Sequence, residues 1–468
     1  MNNTLPSSTR KPGVYAGFDT SRGSANLPAN AWRALIIAQR LEAGTVAGLV
    51  PTPVFSAPAA AGFFGAGSPA HLMAAIAIAN NSQLDLTVIT VDDAPESTKA
   101  TGSITIGGTA TGSGTSTLMV GNVKFDVGTS TDDDATATAA ALIEVMGTVP
   151  GLPVTYSQDG STINFTAKNA GTIGNSILLS FESDASGITL ANLVDMNGGA
   201  VDPDLTELLD AVFATRYHCI ITQFADPDNL LRQKTNVDTV SGKIEQRGER
   251  FYYSAGLALA SVTTLASGVN FERSGTPYFR GTPSLPCEVA ADFGGYRCSV
   301  SDPSLSLDGD ELVGLGLPAV ADRLSRTEQE MCLHNGVTPI EVGPDGSVQI
   351  VRAITNYVVD SHGIADDTLL DDTTIATLDY VRDVVRAIAR PKKATPRTAA
   401  SYRDLIYARL KQLSAPSVEI LLPIDDYKAD LIVEANPSDR PAGWFRVAIP
   451  APVVPGLHVL DETIVLYI

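Results

Sequence analysis

The side chains of this sequence that could do chemistry are few and scattered. The five histidines are His71, His218, His334, His362 and His458. They form neither an HExxH motif nor an i, i+4 pair of the kind that holds a metal ion. His218 precedes Cys219, which could suggest a nucleophile with its base, but adjacent residues of a strand point to opposite faces. The histidines therefore predict no metal site and no catalytic dyad.

Two further signals have structural explanations. The segment GFFGAGS at 62–68 places glycines ahead of a helix start, as phosphate-binding loops do, but it has neither the spacing of such loops nor a following lysine. A tight turn explains it better. The acid pairs at 366–367 and 371–372 stand at a predicted helix start, where carboxylates stabilise the positive helix end. We therefore predict a protein that is not an enzyme and that needs no cofactor and no metal.

The cysteines leave two possibilities open. They are Cys219, Cys287, Cys298 and Cys332. They show no CxxC pair and no histidine at zinc-finger spacing. Reduced, buried thiols are the simpler interpretation, whereas a protein that ends up outside a cell could use these residues in disulfides, including disulfides between subunits.

Composition narrows the class of protein. The chain has 468 residues, 44% of them hydrophobic, and a formal net charge of −20. That length allows several domains, and the negative charge argues against nucleic acid as the main partner. Residues 43–84 carry no Asp, Glu, Lys or Arg, but prolines and glycines divide them, so they indicate buried core and no membrane insertion.

Four regions differ in pattern. Residues 1–28 form a polar N-terminal arm with one apolar stretch. Residues 29–95 and 200–330 alternate strands such as RALIIAQ and YHCIITQF with helices such as SPAHLMAAIAIAN, which is typical of a mostly parallel α/β core. Residues 96–199 interrupt this rhythm with a β-rich, acidic insertion that we expect to protrude into solvent. The fold class is thus α/β and multidomain, with an α+β C-terminal domain over 331–468.

The C-terminal domain begins with the hairpin NGVTPIEVGPDGSVQIVRAITNY at 335–357. Two helices follow, and residues 380–411 carry nine Lys or Arg against two acids. The basic surface that we predict there comprises Arg382, Arg386, Arg390, Lys392, Lys393, Arg403 and Arg409. The chain closes in the strands VEILLP, GWFRVAIPAP and ETIVLYI, and the last of these, in 460–468, needs a sheet to join.

Several of these segments together resemble the contractile tail sheath proteins of bacteriophages, most closely those of Mu-like phages. The segments are RKPGVYAGFDTSRGSANLP, FFGAGSPAHLMAAIAIAN, TGSITIGG through AGTIGNSILL, and the 335–357 hairpin with DDTTIATLDYVR. Their order and spacing over nearly the whole chain carry the resemblance. It implies many copies wrapped helically around an inner tail tube, as stacked six-membered rings, in a virion tail assembled in the host cytoplasm.

The resemblance also implies partners and roles. Terminal arms of such sheaths add strands to neighbouring subunits, which fits a role for Val14, Tyr15, Phe18, Ile464, Val465, Leu466 and Tyr467. The basic surface would face the tube protein, although it could instead be a solvated helix face or bind acids of neighbouring subunits. Baseplate and tail terminator proteins are further implied partners. Contraction would move rigid subunits, with bending in linkers near 19–28 and 450–462. A baseplate component and a cytosolic α/β enzyme remain alternatives.

Overall fold

Strands and helices alternate along most of the computed structural model, which describes residues 32–461 and 463. The elements up to residue 91 are β1 (Arg33–Gln39), β2 (Thr52–Pro53), α1 (Ala57–Phe64), α2 (Pro69–Asn80) and β3 (Asp85–Val91). The next segment contains β4 (Thr101–Gly108), β5 (Gly114–Val120), β6 (Val123–Thr129), α3 (Ala135–Met146), β7 (Val154–Asp159), β8 (Thr162–Ala167), β9 (Leu179–Ser183) and β10 (Ile188–Asn197). The chain is therefore a multidomain mixture of helix and sheet.

The second half continues the alternation. From residue 206 to 297 it contains α4 (Thr206–Val212), β11 (Cys219–Thr222), α5 (Pro227–Ser241), β12 (Arg250–Tyr252), α6 (Leu259–Val269), β13 (Ser274–Gly275), β14 (Pro277–Tyr278) and α7 (Pro286–Arg297). The remaining elements are β15 (Glu311–Leu312), α8 (Arg326–His334), β16 (Thr338–Val342), β17 (Val348–Ile350), α9 (Asp372–Arg386), α10 (Pro396–Leu413), β18 (Ile432–Ala435) and β19 (Phe445–Ala448).

A mostly parallel sheet organises the α/β core, as the sequence predicted. Its strand order is β13-β12-β11-β1-β3-β2, and only the β2–β3 pair is antiparallel. In the central strand β1, Ile36 lies opposite Ile221 on one side and Val88 on the other. Residues 34–38 are completely buried. Burial on both faces is what the continuous apolar run RALIIAQ requires.

The GFFGAGS segment is a tight turn that starts α2. Ser68 caps this helix, since its Oγ accepts a hydrogen bond from the His71 amide at 3.1 Å, and Pro69 follows at the first helical position. Gly67 has φ +84°, and a Cβ there would lie 2.1 Å from the Leu152 carbonyl oxygen. The glycine thus serves chain packing, which agrees with the prediction of a turn.

The insertion is β-rich and packs against the α/β core along one side. Its strands form a four-stranded sheet, β10-β4-β8-β7, and a three-stranded sheet, β6-β5-β9, with α3 packed on them. Asp134 caps α3 by accepting from the Ala137 amide at 2.7 Å. One buried cluster contains Ile36 of β1 together with Ile104 and Phe165 of the insertion. The insertion is therefore joined to the core by a shared hydrophobic interior as well as by its two connections.

The predicted 335–357 hairpin is present, but the boundary placed before it is not. β16 and β17 pair antiparallel across a turn in which the Gly343 amide donates to the Ser347 carbonyl at 2.8 Å. β16 also pairs with β14, so the hairpin continues a sheet of the core. The described residues divide into 32–379 with 455–461, here the body unit, and 380–454, here the C-terminal unit. The boundary near residue 331 therefore moves to about residue 379.

The C-terminal unit has its own core between helices and a short hairpin. Val384, Ile406 and Leu410 are buried in it, and α10 packs against β18. The predicted strand VEILLP is wrong, because only an isolated bridge, Leu421 to Val453, forms there. α9 ends at Arg386, short of the predicted Arg390; Pro391 disfavours helical backbone at Arg390 itself.

Candidate functional site

The carboxyl edge of the parallel sheet is the place where α/β proteins bind small ligands, at the point where strand order reverses. Here that point lies beside β1, between β3 and β11. Two buried side-chain amides, those of Gln39 and Gln223, lie at this point, and Gln223 also lines a cavity of about 370 Å³. The Gln39 amide nitrogen donates to Gln223 Oε1 at 2.7 Å, and the two side chains also hydrogen-bond to each other.

A loop of the insertion, residues 169–170, is hydrogen-bonded to the residues at this point. Gln39 Nε2 donates to the Ala170 carbonyl and to Asp93 Oδ1, each at 2.8 Å. Asp93 Oδ2 in turn accepts from the Ala170 amide at 2.8 Å, and Asn169 Nδ2 donates to the Arg40 carbonyl at 2.8 Å. The polar groups that would recognise a ligand are thus bonded to each other and to the insertion.

Several buried titratable side chains have shifted pKa values, and these side chains accept hydrogen bonds from other parts of the chain. Burial lowers the pKa of His218 to about 4, and burial raises the pKa of Glu249 and of Glu288 to about 7. Glu249 Oε1 accepts from the Tyr217 amide at 3.0 Å, and Glu288 Oε2 from the Leu285 amide at 2.7 Å. Asp292, whose pKa burial also raises to about 7, accepts from Asn80. Across residues 32–461, no group of His, Cys, Asp and Glu side chains has the arrangement of a metal site.

A buried ionic cluster anchors the start of α9 in the body unit. Asp372 lies 2.9 Å from Arg250 Nη1 and 2.6 Å from Arg297 Nε, and it accepts from the Tyr252 hydroxyl at 2.7 Å. Both guanidinium groups stack over the Trp32 ring, at 4.5 and 4.7 Å. Burial opposes ionisation of Asp372, but the arginines outweigh it and lower its pKa to about 2. Sequence reasoning missed this cluster entirely.

The four cysteines are free thiols, so the disulfide alternative does not appear within the subunit. Cys219, Cys287 and Cys332 are buried, and Cys298 is half-buried. Burial raises the pKa of Cys332 to about 11, and it raises the pKa of Cys219 and of Cys287 further. Protonated buried thiols pack as small apolar side chains.

The hairpin β18–β19 forms a separate two-stranded sheet in the described chain. Val433 pairs with Val447 and Ala435 with Phe445 on the face toward α10, while Glu434 and Arg446 form an ion pair on the other face at 3.6 Å. Within residues 32–461, each strand pairs only with the other. Both outer edges therefore present backbone donors and acceptors without a strand partner in this part of the chain.

A cleft adjoins each side of this hairpin. The first, of about 450 Å³, is lined by Pro396, Ala399, Arg403, Leu431, Ile432 and Val433. The second, of about 510 Å³, is lined by Arg390, Lys392, Lys393, Tyr402, Phe445 and Val447. The clefts therefore leave space beside each strand of the hairpin. An added strand would need about 4.8 Å of that space, because this is the distance between neighbouring strands of a sheet.

The predicted basic surface is divided between these features. Arg390, Lys392 and Lys393 meet at the second cleft, whereas Arg403 lines the first. Arg386 is exposed and lies 4.0 Å from Asp383, and Arg409 Nη1 donates to Gln412 at 2.9 Å. Arg382 is half-buried. The seven residues therefore do not form one continuous helix face.

The predicted arm residues lie outside the described part of the chain. They are Val14, Tyr15, Phe18, Ile464, Val465, Leu466 and Tyr467. None of the helices in residues 32–461 combines the length and the apolar character that a membrane crossing requires.

Comparison with known proteins gives a consistent group of relatives. No family model matches the chain. The Mu-like prophage FluMu tail sheath protein of Haemophilus influenzae is 29% identical over 398 residues, which is 82% of this chain and 80% of that protein.

Solved structures match the fold. The crystal structure of a sheath tail protein from Desulfitobacterium hafniense is 12% identical with a TM-score of 0.50, covering 94% of this chain and all of that one. A chain of the anti-feeding prophage baseplate is also 12% identical with a TM-score of 0.50, covering 98% of this chain and all of that one.

Proposed function

We propose that the chain is a contractile tail sheath protein of the Mu-like phage family and that it polymerises helically around an inner tail tube. The similarity to the prophage tail sheath protein over 82% of the chain carries this proposal. Contraction would drive the tube through a host envelope. The subunit would act within a virion tail, assembled beforehand in the host cytoplasm as stacked six-membered rings.

The proposed role is structural and without catalysis. At the point where strand order reverses, Gln39, Gln223 and the 169–170 loop are hydrogen-bonded to one another, and cavities of about 370 and 440 Å³ lie beside them along residues 254–257. No cofactor and no nucleic acid enter the proposed mechanism. The free energy for contraction would come from contacts between subunits, which differ between the extended and the contracted assembly.

Strand exchange would connect the subunits. Arms containing Val14, Tyr15 and Phe18, or the residues 464–467, would add to the open edges of a neighbour's β18–β19 hairpin. Support comes from the two clefts beside the hairpin, which leave room above the helical layer on both sides. Backbone pairing of this kind is heterologous, since donor and acceptor surfaces differ, and heterologous contacts generate rings or open helices.

Rigid units fit a contraction in which subunits move without refolding. The body unit and the C-terminal unit each have a buried core. Bending would be confined to the predicted linkers near 19–28 and 450–462. This proposal predicts that each subunit keeps its secondary structure through contraction.

The divided basic residues would serve two partners. Arg390, Lys392 and Lys393, at the second cleft, would receive an acidic segment of a neighbouring subunit, whereas the exposed Arg386 and its neighbours would face the tube protein. Baseplate and tail terminator proteins would bind at the ends of the sheath. The similarity to a chain of an injection-particle baseplate favours a second candidate, a baseplate-associated component of such a particle.

Electron microscopy of the recombinant full chain tests the proposal, with a second sample that lacks residues 464–468. We expect hollow tubes or rings from the full chain and their loss on truncation. Tubes from both samples would refute the role of the C-terminal arm while retaining the sheath. A full chain that stays monomeric at high concentration would contradict the sheath proposal and favour the second candidate.

A Lys392→Glu/Lys393→Glu variant separates the two uses of the basic residues. Both side chains are exposed, so the subunit should fold normally. We expect tubes to fail in the absence of any tube protein, because the contact lies between sheath subunits. Normal self-assembly of this variant would contradict that assignment. Arg386→Glu is the matched variant, expected to assemble alone but to lose binding to the tube.

A further inference from the structure

Near the end of the described chain, the His458 side chain contacts two aspartates of the body unit. Its Nδ1 lies 2.5 Å from Asp308 Oδ2, and its Nε2 lies 3.4 Å from Asp371 Oδ2. The His458 side chain is only 15% exposed, whereas Leu457 and Val459 on either side are 77% and 80% exposed. The contact is therefore made by one polar side chain between apolar residues that face solvent.

The surroundings of this contact hold its parts in place. A Cβ at Gly456 would lie 2.6 Å from the His458 ring and 3.2 Å from Ser306 Cβ, so glycine lets the segment lie directly on the loop that carries Asp308. Arg352 binds Asp371 through two hydrogen bonds of 3.0 and 3.1 Å. The second carboxylate is thus fixed independently of His458.

The two nitrogens of the His458 ring have different surroundings. Nδ1 is hydrogen-bonded to Asp308 Oδ2, whereas Nε2 faces the Asp371 carboxylate and has no hydrogen-bond partner among the described residues. Asp308, Asp371 and, behind Asp371, Arg352 are the charged groups that face it. Asp308 Oδ1 is buried and has no hydrogen-bond partner, so Asp308 depends on His458 for compensation.

We propose that His458, Asp308 and Asp371, here the His458 clasp, form the root of the C-terminal arm. The inference rests on the proposed strand exchange. With the clasp closed, the chain is free to extend only from residue 459 onward. With the clasp open, the nearest attachment is the Val453 bridge to Leu421. The free segment then begins five residues earlier and reaches up to about 17 Å further.

A short tether favours exchange for an entropic reason. A longer free segment has more conformations to lose when it is ordered on a neighbour, and it dilutes the arm strand over a larger volume. The clasp therefore lowers the concentration at which subunits assemble, and it limits which neighbours the arm can reach.

The first test measures the clasp in the unassembled full chain. Hydrogen exchange of residues 456–461 is compared in wild type, His458→Ala and Asp308→Asn, at a concentration below assembly. We expect exchange to accelerate roughly tenfold in both variants, because the segment loses its anchor. His362→Ala is the control. The His362 side chain is 78% exposed, and its ion pair is with Asp360, two residues away in the chain, at 3.4 Å. Unchanged exchange in His458→Ala would overturn the clasp.

The second test measures assembly of the same proteins by light scattering and electron microscopy. We expect the threshold concentration of His458→Ala to rise roughly tenfold, while His362→Ala assembles as wild type does. Faster exchange with an unchanged threshold would overturn the role of the clasp as the arm root. If a chain lacking residues 464–468 assembles normally, the proposed strand exchange fails, whereas the clasp is still judged by hydrogen exchange alone.

Discussion

Replacing Asp372 by asparagine removes the carboxylate that Arg250 and Arg297 share in the interior. The Asp372 side chain is 4% exposed, that of Arg250 4% and that of Arg297 0%. Two guanidinium groups would then remain buried over one indole ring without a counter-charge. Breaking a buried ion pair by removing one partner costs about 3–5 kcal/mol. We expect the free energy of unfolding of the body unit to fall by that amount.

The same cluster predicts a dependence on pH. The pKa of Asp372 is about 2 in the folded chain, against 3.8 for a free aspartate. A lowered pKa stabilises the fold above pH 3.8, and this contribution is lost as the pH falls through 2. The difference corresponds to roughly 2 kcal/mol. Wild type should therefore lose that stability between about pH 4 and 2, and Asp372→Asn should not lose it.

Trp32 reports on this unfolding directly. Guanidinium denaturation of unassembled chain is followed by its fluorescence in a Trp444→Phe background, since the chain has two tryptophans. Asp404→Asn is the control, because Asp404 is 71% exposed in its pair with Arg403, and exposed pairs contribute less than about 1 kcal/mol. A loss below about 1 kcal/mol in Asp372→Asn would refute the view that this cluster anchors α9.

Two other substitutions test the interior. Burial raises the pKa of Glu288 from 4.5 to about 7, so the folded protein loses stability as the pH rises across that interval. In Glu288→Gln this pH dependence should disappear. Urea denaturation at pH 8 should then show a gain in the free energy of unfolding of up to about 3 kcal/mol. Gly336 has φ +72°, and a Cβ there would lie 2.8 Å from Asn356 Cα, so Gly336→Ala should cost at least about 2 kcal/mol. Gly346→Ala, at φ +88° with open space, should cost only about 1 kcal/mol, and equal losses would contradict the steric argument.

Hydrophobic periodicity predicted the elements that are long enough to show it. β1, β3, α2 and α5 follow apolar runs and capping residues that are visible in the sequence. β2, β13, β14 and β15 are two residues long and have no period to detect. β18 was missed for a related reason: only Val433 and Ala435 face the core, and a four-residue strand gives one alternation.

The polar interior could not be predicted, because its members are remote in sequence. The cluster combines residues from β12, α7 and α9 with the residue before β1; they are Arg250, Arg297, Asp372 and Trp32. Taken alone, an arginine is typical of the surface and an aspartate of a helix start. Asp372 was predicted as a helix-start residue, which is correct, but its partners came from the fold. The role of the basic surface stays a prediction; of the three arginines grouped by helical spacing, Arg390 lies beyond the end of α9 and lines the second cleft.

The point where strand order reverses joins the insertion to the α/β core. A doubly wound sheet offers one natural ligand site, the crevice where strand order reverses, and Gln39 and Gln223 use it to seat the insertion. Elsewhere in the described chain, backbone and charged groups lie open at the edges of β18–β19, in the clefts beside them and at the anchored chain terminus. Each of these recognises extended backbone and charge, which another copy of the same chain can supply.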